Sequence, residues 1–454
     1  MTNVIEVAND RPASGIGREV RKRVPRSALG EWRAPADRID PVTILEQQAR
    51  TRLPDLVPIR YARMAAAPFP FLRGAPAVMA ADLAASPSTD LGVQLCGDAH
   101  LSNFGLFGSP ERTLVFDLND FDETLPGPFE WDVKRLAASV AVAARANGCD
   151  DAQAMRAVLD GARGYRESMI RLAGLDGMTV WYEQVNADAV AELARKTKRR
   201  KDVEKTLNTA RSNTSLQAFV KLTEPGADGN PRIRHKPPLL VPIEEPEALD
   251  VSAVFAAYRS TLPEERRVLL DRHRFVEVAR KVVGVGSVGT RCFIVLMADR
   301  DTCSPLFLQV KEAEASVLSP HLRPSKFKHQ GHRVVQGQRL MQAASDIFLG
   351  WATGPQGRHY YWRQLRDMKG SAVLENLSPG DLAKYATLCG HTLARAHARS
   401  GDRVAIATYL GSGDAFDRAM AQFAIAYADQ TLIDHRALIE AIESGRVVAA
   451  TSGF

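Results

Sequence analysis

The sequence predicts an α+β fold, with an antiparallel sheet in one stretch of the chain and helices on either side of it. Three observations carry this. "FVEVARKVVGVGSVGTRCFIVLMADRDTCSPLFLQVK" reads as three β-branched, aromatic-rich strands joined by turns. "GPFEWDVKRLAASVAVAARANG" places Val133, Leu136, Ala137, Val140 and Ala144 on one face of a helix. Between these stretches, residues 222–250 are rich in Pro and turn dipeptides and mark a junction.

Taken in order, residues 1–40 are basic and weakly periodic, which predicts an extended arm. Its Lys and Arg residues either meet an anionic partner or stay solvated. Between about residues 41 and 94 come short helical patterns, then "PFPFLRGAP". Arg73 in that stretch could reach an anionic group, although a surface position is the simpler reading. The strand-like "LGVQLC" leads into the loop "CGDAHLSNFG", and a second strand, "TLVFDLND", comes next. In the helix beyond it, Lys134 and Arg135 lie off the apolar stripe, and Gly148 closes the C-terminus. More helices run to about residue 218. One carries "RKTKRRK", a run best read as a solvated face. "ADGNPR" suggests a hairpin within the junction, and after the three strands come polar helices at about 330–349 and 379–400 and a helical tail.

Hydrophobic residues make up 45% of the 454 and charged residues 25%, which is enough apolar material for a sizeable core. The net charge of +6 suits an anionic small molecule and is too small to demand nucleic acid. The five cysteines form no C-x-x-C pair, which argues against a zinc site or a disulfide framework and fits a reducing compartment. No apolar run reaches the roughly 20 residues of a membrane span. The N-terminus lacks the apolar core of a signal peptide. A cytoplasmic protein without membrane association is therefore expected.

Gly284, Gly286 and Gly289 form G-x-G-x-x-G, with Ser287 inside it. A dinucleotide fold needs a helix directly after such a motif. Here "TRCFIVLM" follows, which is a strand. Glycines between antiparallel strands make a flap whose N–H groups can close over phosphates, as in protein kinases. The next strand, "LFLQVK", ends at Lys311, placed to reach the α and β phosphates of a nucleotide as a point charge.

Phosphoryl transfer needs a cation on the nucleotide, Mg²⁺ against the phosphates and a carboxylate for the attacking hydroxyl. Mg²⁺ takes hard oxygen ligands. "GDAHLSN" offers Asp98 as that carboxylate and Asn103 as a ligand; "VFDLNDFDET" offers Asp120 as the second ligand, with Asp117 and Asp122 as rivals. His100 either orients Asp98, contacts phosphate, or is a loop histidine bonded to local backbone.

These residues resemble the aminoglycoside and choline kinase branch of the protein-kinase-like superfamily. Gly97, Asp98, His100 and Asn103 match H-G-D-x-H-x-x-N, with Cys96 in place of the first histidine. Asp120-Phe121-Asp122 and Asp132 with Leu136-Ala137 match the later I-D-F/W-[DE] and D-L-A elements. The spacing from Asp120 to Asp132 fits that branch and favours Asp120 as the ligand. The whole chain also resembles the bacterial family called domain of unknown function 2252, through "GDAHLSNFG", "DFDET", "GPFEWDVKRLAAS", "VGVGSVGTR" and "RQLRDMKGS".

The kinase resemblance implies a two-lobed fold, ATP and Mg²⁺ as cofactors, and transfer to a small-molecule hydroxyl. Kinases place the glycine flap before the catalytic loop, whereas here it follows, which implies a circular permutation. The helix "GDLAKYATLCGHTLARAHARSG" is similar to the one that ordinarily precedes a catalytic loop. The expected organisation is a basic arm at 1–40, the catalytic-loop and metal-binding part of the larger helical lobe at 41–250, a β-rich nucleotide lobe at 251–370, and a helical segment completing the larger lobe at 371–454. Arg366 and Asp367 fall where a hinge between lobes would run. No Glu lies between Leu318 and Asp346, so Gln338 or Gln342 stands as the neutral partner of Lys311, with Glu312 and Glu314 close by.

Two other functions compete. A nucleotide-binding protein of this fold without transfer activity fits the missing glutamate. A metal-dependent phosphoesterase fits D-x-H at Asp98 and His100, but the chain contains no Asn-His pair to complete such a site.

Overall fold

The computed structural model describes residues 13–194, 200–212, 215–226, 231–243, 251–282, 284–365 and 368–451. The pair Arg366 and Asp367 and the 195–199 part of the basic run lie outside them. The described residues form an α+β structure of many helices and antiparallel sheets. None of their helices is long and apolar enough to cross a membrane.

The larger core is helical. Helix Phe129–Ala146 lies inside it, with Asp151–Ala173, Pro379–Ala398 and Ala415–Glu443 packed around. The predicted stripe is buried, and so is nearly everything else on the Phe129 helix, including Lys134 and Arg135. A helix covered on all sides shows no polar face, so being off the stripe does not mean reaching solvent. Gly148, at φ +77°, ends it as expected.

Two small antiparallel pairs carry the acidic loops: Gly92–Leu95 with Leu125–Pro128, and Phe104–Gly108 with Leu114–Leu118. The largest sheet among the described residues has six antiparallel strands. In spatial order these are Gly350–Thr353, His359–Gln364, Pro305–Glu312, Cys292–Asp299, His273–Lys281 and Leu240–Pro242. The three strands read from sequence lie side by side in it. Side chains alternate between faces along each strand. Leu306, Leu308 and Val310 join one cluster with Tyr258 and Trp362, while Phe307 joins another with Ala218 and Ile233. Gln309 and Lys311 therefore share the Phe307 face. The junction contains the expected hairpin, Thr223–Pro225 against Pro231–Ile233.

The basic arm is a correction. Ala13–Arg23 is a helix packed on helix Arg403–Leu410, where Arg21 and Arg26 donate to the carbonyls of Tyr409 and Leu410. Further on, the Arg38 guanidinium sits between Asp82 and Asp434 at 2.6–2.8 Å, and Trp32 packs edge-on against Tyr427. Arg21, Arg26, Arg38 and Trp32 have partners from the far end of the chain, which local periodicity cannot reveal.

Candidate functional site

The loop that opens the site hangs from the Phe129 helix. The Asp132 carboxylate, in its first turn, accepts the Cys96 and Gly97 N–H groups at 2.8 and 3.0 Å. An acid there also suits the positive end of the helix dipole. Ser139 Oγ accepts from Leu101 N–H, and His397 Nε2 lies 3.2 Å from Asp132. Gly97 has φ +85°, and a Cβ on it would sit 2.3 Å from the Glu123 carbonyl oxygen. Gly97→Ala combines left-handed strain with this overlap. It is expected to lower stability by at least about 2 kcal/mol, read from urea unfolding.

The Asn103 amide stitches the two acidic segments together. Its Nδ2 donates to the carbonyls of Asp98 and Asp120, both at 3.0 Å, and its Oδ1 accepts the Asp120 and Asn119 N–H groups at 2.7 and 3.3 Å. Asp98 projects beside it. Arg135 Nε donates to Asp98 Oδ1 at 2.8 Å, and His100 Nε2 lies 3.5 Å from Oδ2. Burial pushes the His100 imidazole down to about 4, so it is neutral near neutral pH and its second nitrogen, Nδ1, has no partner among the described residues.

Strand register brings the β-sheet to these acids. Lys311 pairs across strands with Tyr361, and Gln309 with Arg363, so all four share one face. Lys311 Nζ is 2.5 Å from Asp122 Oδ2 and 3.4 Å from Asp120 Oδ2, while Tyr361 Oη donates to Asp122 Oδ1 at 2.6 Å. Burial works against the Lys311 charge, but Asp120 and Asp122 outweigh it and hold the ammonium well above the ordinary lysine value. Asp120 is likewise held below the ordinary carboxylate value: Lys311 and then Arg363 outweigh its burial. Arg363 Nη1 donates to the Asn119 carbonyl at 2.9 Å.

The glycine loop joins the antiparallel strands His273–Lys281 and Cys292–Asp299. It rests on the helices of the 41–74 segment. Arg63 donates to the Gly284 carbonyl at 2.7 Å, Arg52 to that of Val288, and Leu53 N–H to that of Gly289 at 2.8 Å. Ser287 Oγ lies 3.4 Å from Asp122.

A cavity of about 1450 Å³ opens between these parts. Asp98, His100, Asn103, Asp120, Asp122, Gly284, Gly286, Ser287 and Lys311 all line it. Gly289 does not. It is at φ +93° and turns toward Arg52, whose Cβ would be 2.9 Å from an added Cβ, so it serves the bend of the loop. Among the rivals, Asp117 is fully buried, ion-paired with Arg395 and bonded to the Ala343 N–H, away from the cavity. Gln338 and Gln342 bond to each other, so the neutral-partner expectation for Lys311 gives way to Asp122. Among the described residues, no group of three His, Cys, Asp or Glu could by itself hold a metal ion.

Residues 52–441 match the family called domain of unknown function 2252, described as an uncharacterized protein conserved in bacteria. The chain belongs to this family. No curated protein and no solved structure matches it. The span matched by domain of unknown function 2252 takes in both the Asp98 loop and the Lys311 strand.

Sequence reasoning missed Arg135, Tyr361, Arg363 and Glu123. The place of Arg135 beside Lys134, off the apolar stripe, was the available signal for it. The other three are visible only through strand register and loop packing. Glu123 lines the cavity and accepts the Val317 N–H at 2.7 Å. Burial raises its carboxyl to about 7. In the unfolded chain the same group ionises near 4.3. The folded state therefore binds the extra proton between about pH 4.5 and 7, and this group makes stability fall as pH rises through that window. Glu123→Gln is expected to flatten that part of the profile, checked by urea midpoints at pH 5 and 7.5.

Proposed function

We propose that the chain is an ATP- and Mg²⁺-dependent phosphotransferase acting on the hydroxyl of a small molecule, on a circularly permuted kinase-like fold. One observation carries this reading: Lys311 meets Asp120 and Asp122 at 3.4 and 2.5 Å across 191 and 189 residues of chain, in a cavity that the glycine loop also lines. On nucleotide binding, Lys311 turns from Asp122 to the α and β phosphates. Asp120 would be the principal ligand for Mg²⁺, which would supply neutralisation of phosphate charge. One or two carboxylates with phosphate oxygens and water make a normal set for this ion, and the half-exposed Asp120 carboxylate fits it. Asn103 holds Asp120 in place; to ligate, its Oδ1 would have to release an N–H. Asp98, oriented by Arg135, accepts the hydroxyl proton.

Chain order supports the permutation. Ser400 Oγ accepts from Gln94 N–H at 2.9 Å, so helix Pro379–Ala398 ends beside the strand that enters the Asp98 loop. That is the junction an unpermuted kinase would make covalently. The helix at the N-terminal side, Ala13–Arg23, lies against Arg403–Leu410.

Thermal denaturation with ATP and Mg²⁺ tests the reading. Saturation at 100 times Kd stabilises by about 2.7 kcal/mol, so a clear upward shift is expected, and no shift at millimolar nucleotide overturns it. The engaged Asn103 oxygen favours a second reading, nucleotide binding without transfer. Measuring ATP consumption against a panel of hydroxyl compounds separates the two.

A further inference from the structure

Arg73, half-buried, differs from Lys311, Arg363, Arg52 and Arg63, which share the cavity wall with it. Lys311 has Asp122, and Arg363 has the Asn119 carbonyl. Arg52 and Arg63 hold carbonyls of the glycine loop. Arg73 makes no hydrogen bond or ion pair with any described residue, and its Nε is sealed from water without a partner. A guanidinium carries its charge at any accessible pH and presents five donors in a rigid fork. Leaving such a group half-buried and unpaired is costly unless an anion completes it.

Its position says where that anion would sit. Arg73 belongs to helix Pro68–Gly74, and its carbonyl oxygen lies 3.3 Å from where a Gly286 Cβ would be, so it adjoins the glycine loop. Burial pushes it below the ordinary arginine value. The carbonyl of its neighbour Leu72 accepts from Arg135, the residue that holds Asp98, whereas Lys311 meets Asp122 and Asp120; the acids that oppose the burial of Arg73 are Asp98 and then Glu375. The two cations thus serve different ends of one cavity.

We propose that Arg73 seats an oxyanion at the Asp98 end of the cavity, distinct from the phosphates gripped by Lys311. The group is the terminal phosphate of the nucleotide or an anionic group, phosphate or carboxylate, of the acceptor. In both forms the inference rests on the phosphotransferase reading.

Calorimetric titration with Mg²⁺ and either ADP or a nonhydrolysable ATP analogue tests it on wild type, Arg73→Ala and Arg73→Lys, after melting curves show each variant folded. If the anion is the terminal phosphate, Arg73→Ala weakens the analogue by about 10- to 100-fold, the loss of a charge-assisted bond. ADP then binds unchanged, and Arg73→Lys falls between. If the anion belongs to the acceptor, both nucleotides bind Arg73→Ala normally. Wild type saturated with the analogue then binds glycerol 3-phosphate but not glycerol, and Arg73→Ala binds it at least about 10-fold more weakly. Should wild type bind neither nucleotide, the phosphotransferase reading falls. Inorganic phosphate titrated onto the nucleotide-free protein then decides Arg73 alone: binding lost in Arg73→Ala supports the seat. Arg73→Ala matching wild type in every arm overturns it.

Discussion

Lys311→Met lowers the unfolding free energy by about 2–3 kcal/mol and abolishes the thermal shift with ATP and Mg²⁺. Removing one partner of a fully buried ion pair costs about 3–5 kcal/mol. The expected figure is smaller because Asp122 and Asp120 keep 27% and 43% of their side-chain surface open to the cavity. Adding Asp122→Asn removes one of the stranded charges and should recover part of the stability while nucleotide binding stays lost. That split separates the structural part of the interaction from the functional one.

The pH dependence has a definite sign. The Lys311 value is raised on folding, so its contribution is complete below the unfolded value near 10.4 and is lost only as pH climbs through the folded value. Asp120 is lowered, so its contribution is present above about 3.9 and is lost as pH falls through its folded value. The gap between wild type and Lys311→Met should therefore hold constant between pH 5 and 9 and narrow below about pH 4. Urea unfolding across that range measures it.

Asp98→Asn is expected to reduce turnover by about 10²- to 10⁴-fold, the usual contribution of a positioned general base, while nucleotide affinity stays at the wild-type level. The amide keeps an oxygen for Arg135 Nε but gives up the charge. Arg135 is buried, and its Nη2 is held by the Leu72 carbonyl. A loss of about 1–2 kcal/mol in stability should accompany the change, because a bond to a charged acceptor becomes one to a neutral acceptor. Titrating the nucleotide well below the melting temperature keeps the two effects apart. Equal loss of affinity and turnover would remove Asp98 from the role given to it.

The reach of the sequence differs from part to part. The Phe129 helix was legible because a 3.6-residue period does not depend on what packs against it. The three strands were legible because β-branched runs between turns have few alternatives, and the glycine motif was excluded from a dinucleotide fold by the strand that follows it. The surroundings of the three acids were only half legible. Spacing favoured Asp120, but the burial of Asp117 against Arg395 and the capture of Asp122 by Lys311 and Tyr361 depend on partners more than 180 residues away. The partner expected for Lys311 was wrong for the same reason. A search for a helix residue looks along the chain, while the carboxylate came from the other acidic loop.

By itself, the sequence determined the local chemistry: a loop with an acid and an amide, a strand ending in further acids, a glycine bend between strands and a lysine at the end of an apolar run. Each of these rests on neighbours within a few residues, where turn geometry and side-chain period leave little freedom. Only the tertiary structure decided which charges face one another, which glycine carbonyls are tied down, and that Arg73 is left without a partner among the described residues. Those outcomes depend on strand register and helix packing between distant segments, and the Coulomb energy they settle changes steeply over a few ångströms.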